Sequence, residues 1–174
     1  TRVREQLDQT YHTCKTGKYT WVHFGWQRGG LSCRSSGCAT GIHERHPASG
    51  ICSIEVCSIL GRGGAIRYKT QTIDVKLVVG YPPPLGGSKK QMMVKKKVAE
   101  QTCKWMQNTA DTAPHRCLPI VAGDLNTGLG PDTDCIPWSS DDYEPVGTHH
   151  LAVPNILGQH WKEWMLTRKY IAAT

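Results

Sequence analysis

Long hydrophobic runs are missing from this 174-residue chain: the longest, residues 77–80 and 118–123, fall far short of the roughly 20 apolar residues that cross a bilayer as a helix. A membrane-spanning helix is excluded. The first residues, Thr1-Arg2-Val3-Arg4-Glu5-Gln6-Leu7-Asp8, are polar and carry neither an apolar core nor a small-residue cleavage site, so they do not read as a secretory signal. The initiator Met is missing too, which leads us to expect a fragment or a processed piece. Acidic residues are in deficit. The 14 Asp+Glu face 21 Lys+Arg, a net charge of +7, and such a balance either predisposes a domain toward polyanions or serves solubility alone. Internal repeats are absent, as are low-complexity tracts other than one lysine cluster.

No Cys-x-x-Cys pair occurs among the eight cysteines, which are too sparse for a disulfide scaffold and leave the compartment open. The nearest metal-like set, Cys33, Cys38, His43 and His46, lacks zinc spacing. Free buried thiols acting as small hydrophobes are expected instead, with Cys103 and Cys117 set in apolar patterns.

What is present fits one globular domain of ordinary apolar content, 39%. Residues 18–25 are rich in β-branched and aromatic types, with Tyr19, Trp21 and His23 on one face of a strand and Thr20, Val22 and Phe24 on the other. A Gly-rich loop over 27–36 precedes a small-residue strand over 37–42 that returns beside the first. Further strand segments are expected at 51–60 and 65–68, separated by Gly61-Arg62-Gly63-Gly64, and at 73–81, stopped by Pro82-Pro83-Pro84. Ser88 caps an expected amphipathic helix over 89–108, whose apolar stripe is Val94, Val98, Thr102, Trp105 and Met106. A buried strand over 117–122 ends at Gly123, a long loop fills 127–154, and Asn155 caps a last helix with Leu157, Trp161, Trp164 and Met165 on one stripe.

The sharpest local feature is Gly123-Asp124-Leu125-Asn126, where an apolar strand delivers a carboxylate and a carboxamide two residues apart into a Gly-rich turn. Alternation would put both on one face, suited to orienting a water or a hydrated metal; an Asx turn is the other reading. Tyr81, at the end of an earlier strand, reads either as a packed aromatic or as a hydrogen-bond donor. Lys89, Lys90, Lys95, Lys96 and Lys97 could touch a phosphate backbone or form a solvated helix face, and the tryptophans offer stacking surface or core packing.

Taken in order, Tyr81-Pro82-Pro83, a long helix and Gly123-Asp124-Leu125-Asn126 resemble the endonuclease/exonuclease/phosphatase superfamily, and most closely the endonuclease domains of non-LTR retrotransposons, with their Tyr-x-Pro and Gly-Asp-Phe-Asn strand ends. The resemblance extends over Tyr19 to Ile42, Gly61-Arg62-Gly63-Gly64 and the Asn-x-x-Gly helix from Asn155. It implies an α/β fold, a two-layer β-sandwich of mixed sheets flanked by helices and incomplete at both termini, forming one partial domain over 1–174. It also implies Mg2+- or Mn2+-dependent phosphodiester hydrolysis of DNA inside the cell, as one module of a reverse-transcriptase polyprotein. Asp124 would orient the attacking water, Asn126 would position it or hold the scissile phosphate, and Tyr81 would donate to the phosphate. The family's early Asn, its metal-binding Glu and its late Asp-His pair have no counterpart here. The nearest local groups, Glu5 and His149-His150, lie in polar, solvated contexts. A truncated or degenerate copy with little or no activity is therefore expected. The alternatives are an inactive nucleic-acid-binding module and a phosphatase of the same superfamily acting on a small ligand.

Overall fold

A computed structural model describes residues 11–25, 37–59, 61–129 and 155–171. The chain divides into two compact units, Thr1–Leu125 and Asn126–Thr174. In the first, β1 (Tyr11–Thr16), β2 (Tyr19–Phe24) and β3 (Cys38–His43) form a three-stranded antiparallel sheet in that order. A second sheet has the order β4 (Ile51–Val56), β5 (Gly63–Lys69), β6 (Asp74–Gly80) and β7 (Leu118–Gly123). Its first two pairings are antiparallel, and β6 and β7 run parallel. Parallel neighbours need a long crossover, supplied here by α1 (Lys89–Asp111). The α/β class and two sheets agree with expectation, but only the four-stranded sheet is mixed.

Strand alternation separates two layers of packing. Val22, Phe24 and Ile42 of the first sheet close on Ile66 and Tyr68 of the second, joined by Ile54, Val75, Leu77 and Val79 at the margin. Phe24 seats against Gly64, where a β-carbon would overlap its ring, and is 1% exposed. Burying such a ring stabilises by about 1.5–3 kcal/mol. The opposite face of the second sheet meets α1: Gly80 abuts Met106, Gly63 abuts Trp105, and the Lys76 ammonium donates to the Thr112 hydroxyl. The helix supplies Ala99, Thr102, Cys103, Met106, Thr109 and Ala110 at three- and four-residue spacing. Ser88 and Gln91 cap it reciprocally. Val94 departs from the expected stripe and is 53% exposed, because the helix extends past the sheet before its buried face begins.

The helix-facing layer also holds charge. Lys76, 4% exposed, pairs with Glu55 at 2.8 Å. Arg67 donates to both Asp74 carboxylate oxygens at 2.9 and 2.7 Å, a bidentate geometry. Cys103 and Cys117 are buried, as expected, and the Cys117 thiol also bonds the Asp74 carboxylate.

In the second unit, α2 (Ile156–Arg168) starts at Asn155, whose side-chain oxygen accepts from the Gly158 amide at 2.9 Å and from the Thr127 hydroxyl. Leu157, Trp161 and Met165 are buried, and Trp164 stacks on Tyr170 at 4.4 Å between ring centroids. The expected loops at 27–36 and over most of 127–154, together with Glu5, Trp26, Trp138 and His149-His150, lie outside the described residues.

The Arg67 hydrogen bonds hold the Asp74 carboxyl at about 2, below its ordinary 3.8. A depressed carboxyl contributes stability above the unfolded value and loses it as pH falls through the folded one. Thermal melts should therefore show stability dropping between about pH 4 and pH 2, and Asp74→Asn should flatten that slope while lowering the melting temperature at pH 7.

Candidate active site

Parallel pairing brings the ends of β6 and β7 level, with Gly80 opposite Gly123. The chain leaves them as Tyr81-Pro82-Pro83 and as Asp124-Leu125. Ligands of open α/β sheets bind outside the carboxyl ends of the strands. Tyr81 and Asp124, predicted 43 positions apart as strand-end site residues, are thereby brought to one edge of one sheet. Tyr81 is half-buried and Asp124 is exposed.

Gly123 sets the approach. Its φ is +143°, and a β-carbon there would overlap the Gly80 carbonyl oxygen. No other residue type tolerates both conditions. Extended backbone ends at this glycine, so alternation does not govern the residues beyond it, which corrects the expectation that Asp124 and Asn126 share a strand face. Asn126, the first residue of the second unit, has φ +49°, a left-handed conformation that Asn adopts more readily than most residues.

A group the sequence reading passed over is Arg62. It sits in the glycine-flanked turn before β5 and is 7% exposed. Its carbonyl accepts from the Tyr81 amide at 2.8 Å, its Nη1 donates to the Tyr81 carbonyl at 3.3 Å, and its guanidinium carbon lies 5.8 Å from the Tyr81 ring centroid. Burial pulls the guanidinium below its ordinary value, against the opposing pull of Tyr81 and Cys38. The one signal in the sequence was a charged residue flanked by three glycines, which leave room for the turn to fold inward. Arg62 therefore clamps the start of the Tyr81 segment from both sides of the peptide. Beside it, burial pushes the Cys38 thiol up to about 11, with the Arg62 charge opposing and Cys57 adding. At that value Cys38 stays a thiol at neutral pH and is no nucleophile. It is also no zinc partner for His43: the two occupy opposite ends of β3, roughly 17 Å apart and on opposite faces.

The predicted lysines lie on the part of α1 that overhangs this edge. Met106 packs on Gly80 and Thr112 bonds Lys76, so the helix runs antiparallel to β6 and its first residues project about 25 Å past the Met106 contact. Lys89, Lys90, Lys96 and Lys97 are exposed there. Lys95 is committed to the Gly86 carbonyl at 2.7 Å, and Lys96 lies 3.8 Å from Glu100, an exposed pair of small energetic value. Trp105 and Trp161 serve packing, half-buried and buried respectively.

Among the described residues, no three His, Cys, Asp or Glu side chains converge as a metal-ligating group. No described helix is long and apolar enough to cross a membrane.

Gly123→Ala should destabilise by at least about 1–3 kcal/mol through forced backbone strain, read as a fall in melting temperature. Gly86→Ala, where a β-carbon meets open space, should leave it unchanged.

No protein-family model and no curated protein matches this chain.

Proposed function

We propose that this chain is a DNA-directed phosphodiesterase domain of the endonuclease/exonuclease/phosphatase type, close to the retrotransposon endonucleases. The observation that supports the reading is the level pairing of Gly80 with Gly123, after which Tyr81 and Asp124 are the first residues to leave the carboxyl edge of a parallel strand pair. Basic side chains on the overhanging helix and the net charge of +7 favour a polyanion as substrate over a small phosphorylated ligand.

Each group then has a role set by its chemistry. The exposed Asp124 carboxylate accepts a hydrogen bond from the attacking water and takes its proton. The Tyr81 hydroxyl donates to a phosphate oxygen, where charge grows in the transition state. Arg62, bonded to the Tyr81 backbone, holds that segment in place and is a positioning residue. Lys89, Lys90, Lys96 and Lys97 hold the nucleic-acid backbone, each contact steepening the salt dependence of binding. The Mg2+ or Mn2+ implied by the family does not fit the described residues, which gather no ligating set of three. No step is assigned through it, and low turnover is the consequence.

Supercoiled-plasmid nicking in Mg2+ tests the reading. Weak nicking above background is expected, lowered at least about 100-fold in Asp124→Ala and about 100-fold in Tyr81→Phe. Nicking that is indifferent to both substitutions overturns it. That the described residues gather no ligating set of three favours a second reading, an inactive nucleic-acid-binding module. Salt-dependent DNA binding with no cleavage at any metal concentration would replace the first reading with that one. Hydrolysis of a small phosphate ester, with duplex DNA neither cut nor competing, would replace it with the phosphatase.

A further inference from the structure

The outer face of the three-stranded sheet carries a continuous row of rings. Pairing of His12 with His23, of Cys14 with Trp21 and of Tyr19 with His43 puts His12, Cys14, Tyr19, Trp21, His23 and His43 on the face turned away from Val22 and Phe24. Ring centroids step from His12 to His23 at 6.5 Å, to Trp21 at 6.3 Å, to Tyr19 at 5.6 Å and to His43 at 5.0 Å. Trp21 can lie across β3 because its partner there is Gly41; a β-carbon at Gly41 would stand 2.9 Å from the indole. Tyr19 is 41% exposed, His12, Trp21, His23 and His43 are half-buried, and none of the five belongs to the cluster around Val22 and Phe24.

We propose that this face is a stacking platform for single-stranded nucleic acid. Unpaired bases stack on surface aromatics whatever their sequence, and a sheet bearing such rings holds two or three bases at once. Along β2, Tyr19 to His23 spans roughly 13 Å, which suits more than one base. Charge selects the occupant. The outward positions of β1, β2 and β3 hold no Asp, Glu, Asn or Gln, the groups that would grip a neutral sugar's hydroxyls. At the margin, exposed Lys18 and Arg45, in the turns that flank the ring face, outnumber Glu44 and match a phosphate backbone. The platform is separate from the Asp124 edge, so a chain that nicks no plasmid can still pass its test.

Fluorescence anisotropy of a labelled oligothymidylate of about 10 nucleotides provides that test. Trp21→Ala and Tyr19→Ala should each weaken binding roughly 5- to 150-fold, the worth of one stacked base. Trp21→Phe, which keeps a π-face, should retain most of the affinity. A duplex of equal length should compete poorly, its bases being stacked already. Circular dichroism reports whether the variants keep the sheet, and the exposed Tyr19→Ala carries the test should Trp21→Ala unfold. The proposal is overturned if folded Tyr19→Ala binds as tightly as the parent chain. It is equally overturned if Lys89→Gln with Lys90→Gln abolishes binding that Tyr19→Ala leaves intact, or if a neutral oligosaccharide displaces the oligothymidylate.

Discussion

The parallel contact between β6 and β7 is the constraint on which the rest of the first unit depends. Antiparallel neighbours can be joined by a tight turn, but parallel ones oblige the chain to travel back the length of the sheet. That return is α1, and its presence gives the four-stranded sheet a second covered face. The same contact levels the two strand ends, so residues far apart in sequence leave the sheet side by side. The overhang of α1 follows as well, because a helix of 23 residues is longer than the seven-residue strand it must recross.

The two faces of the second sheet are built by different rules. Toward the first sheet the contacts are aliphatic and aromatic, with Phe24 filling the space left at Gly64. Toward the helix the layer admits charge, and each charge is answered: Lys76 by Glu55 and Thr112, Asp74 by Arg67 and Cys117. Lys76 is the buried charge among them, and leaving it unpaired would be costly, so this layer ties the strand register to specific partners as well as to shape. Arg62 obeys the same logic at the carboxyl edge, where its guanidinium bonds the Tyr81 carbonyl.

Much of this architecture was legible wherever one periodicity dominated. Tyr19–Phe24 alternates cleanly, Ser88 caps α1, and Asn155 marks the start of α2. β1 escaped notice because Tyr11–Thr16 is an edge strand with little apolar surface, ordered by its pairing with β2 rather than by burial. Val94 was assigned to a buried stripe because helical spacing does not reveal where a helix passes the end of a sheet. At the candidate site, Tyr81 and Asp124 were found from strand-end motifs, and their adjacency required the parallel register. Arg62 went unassigned because a charged residue in a glycine-rich turn ordinarily faces water; here the turn folds inward. The aromatic alternation of Tyr19, Trp21 and His23 was read correctly as one face, but their continuity with His12 and His43 exists only across strands.

Gly123 also bears on how this domain can change over time. Most positions at a strand end can drift through intermediates of increasing size, each a small step in fitness. Position 123 has no such gradient: every replacement for glycine adds at least one carbon atom, and the Gly80 carbonyl already occupies the place that atom would take. A lineage under selection for the edge must therefore keep this one residue unchanged, whereas a lineage released from selection can lose the Tyr81–Asp124 alignment in a single nucleotide change.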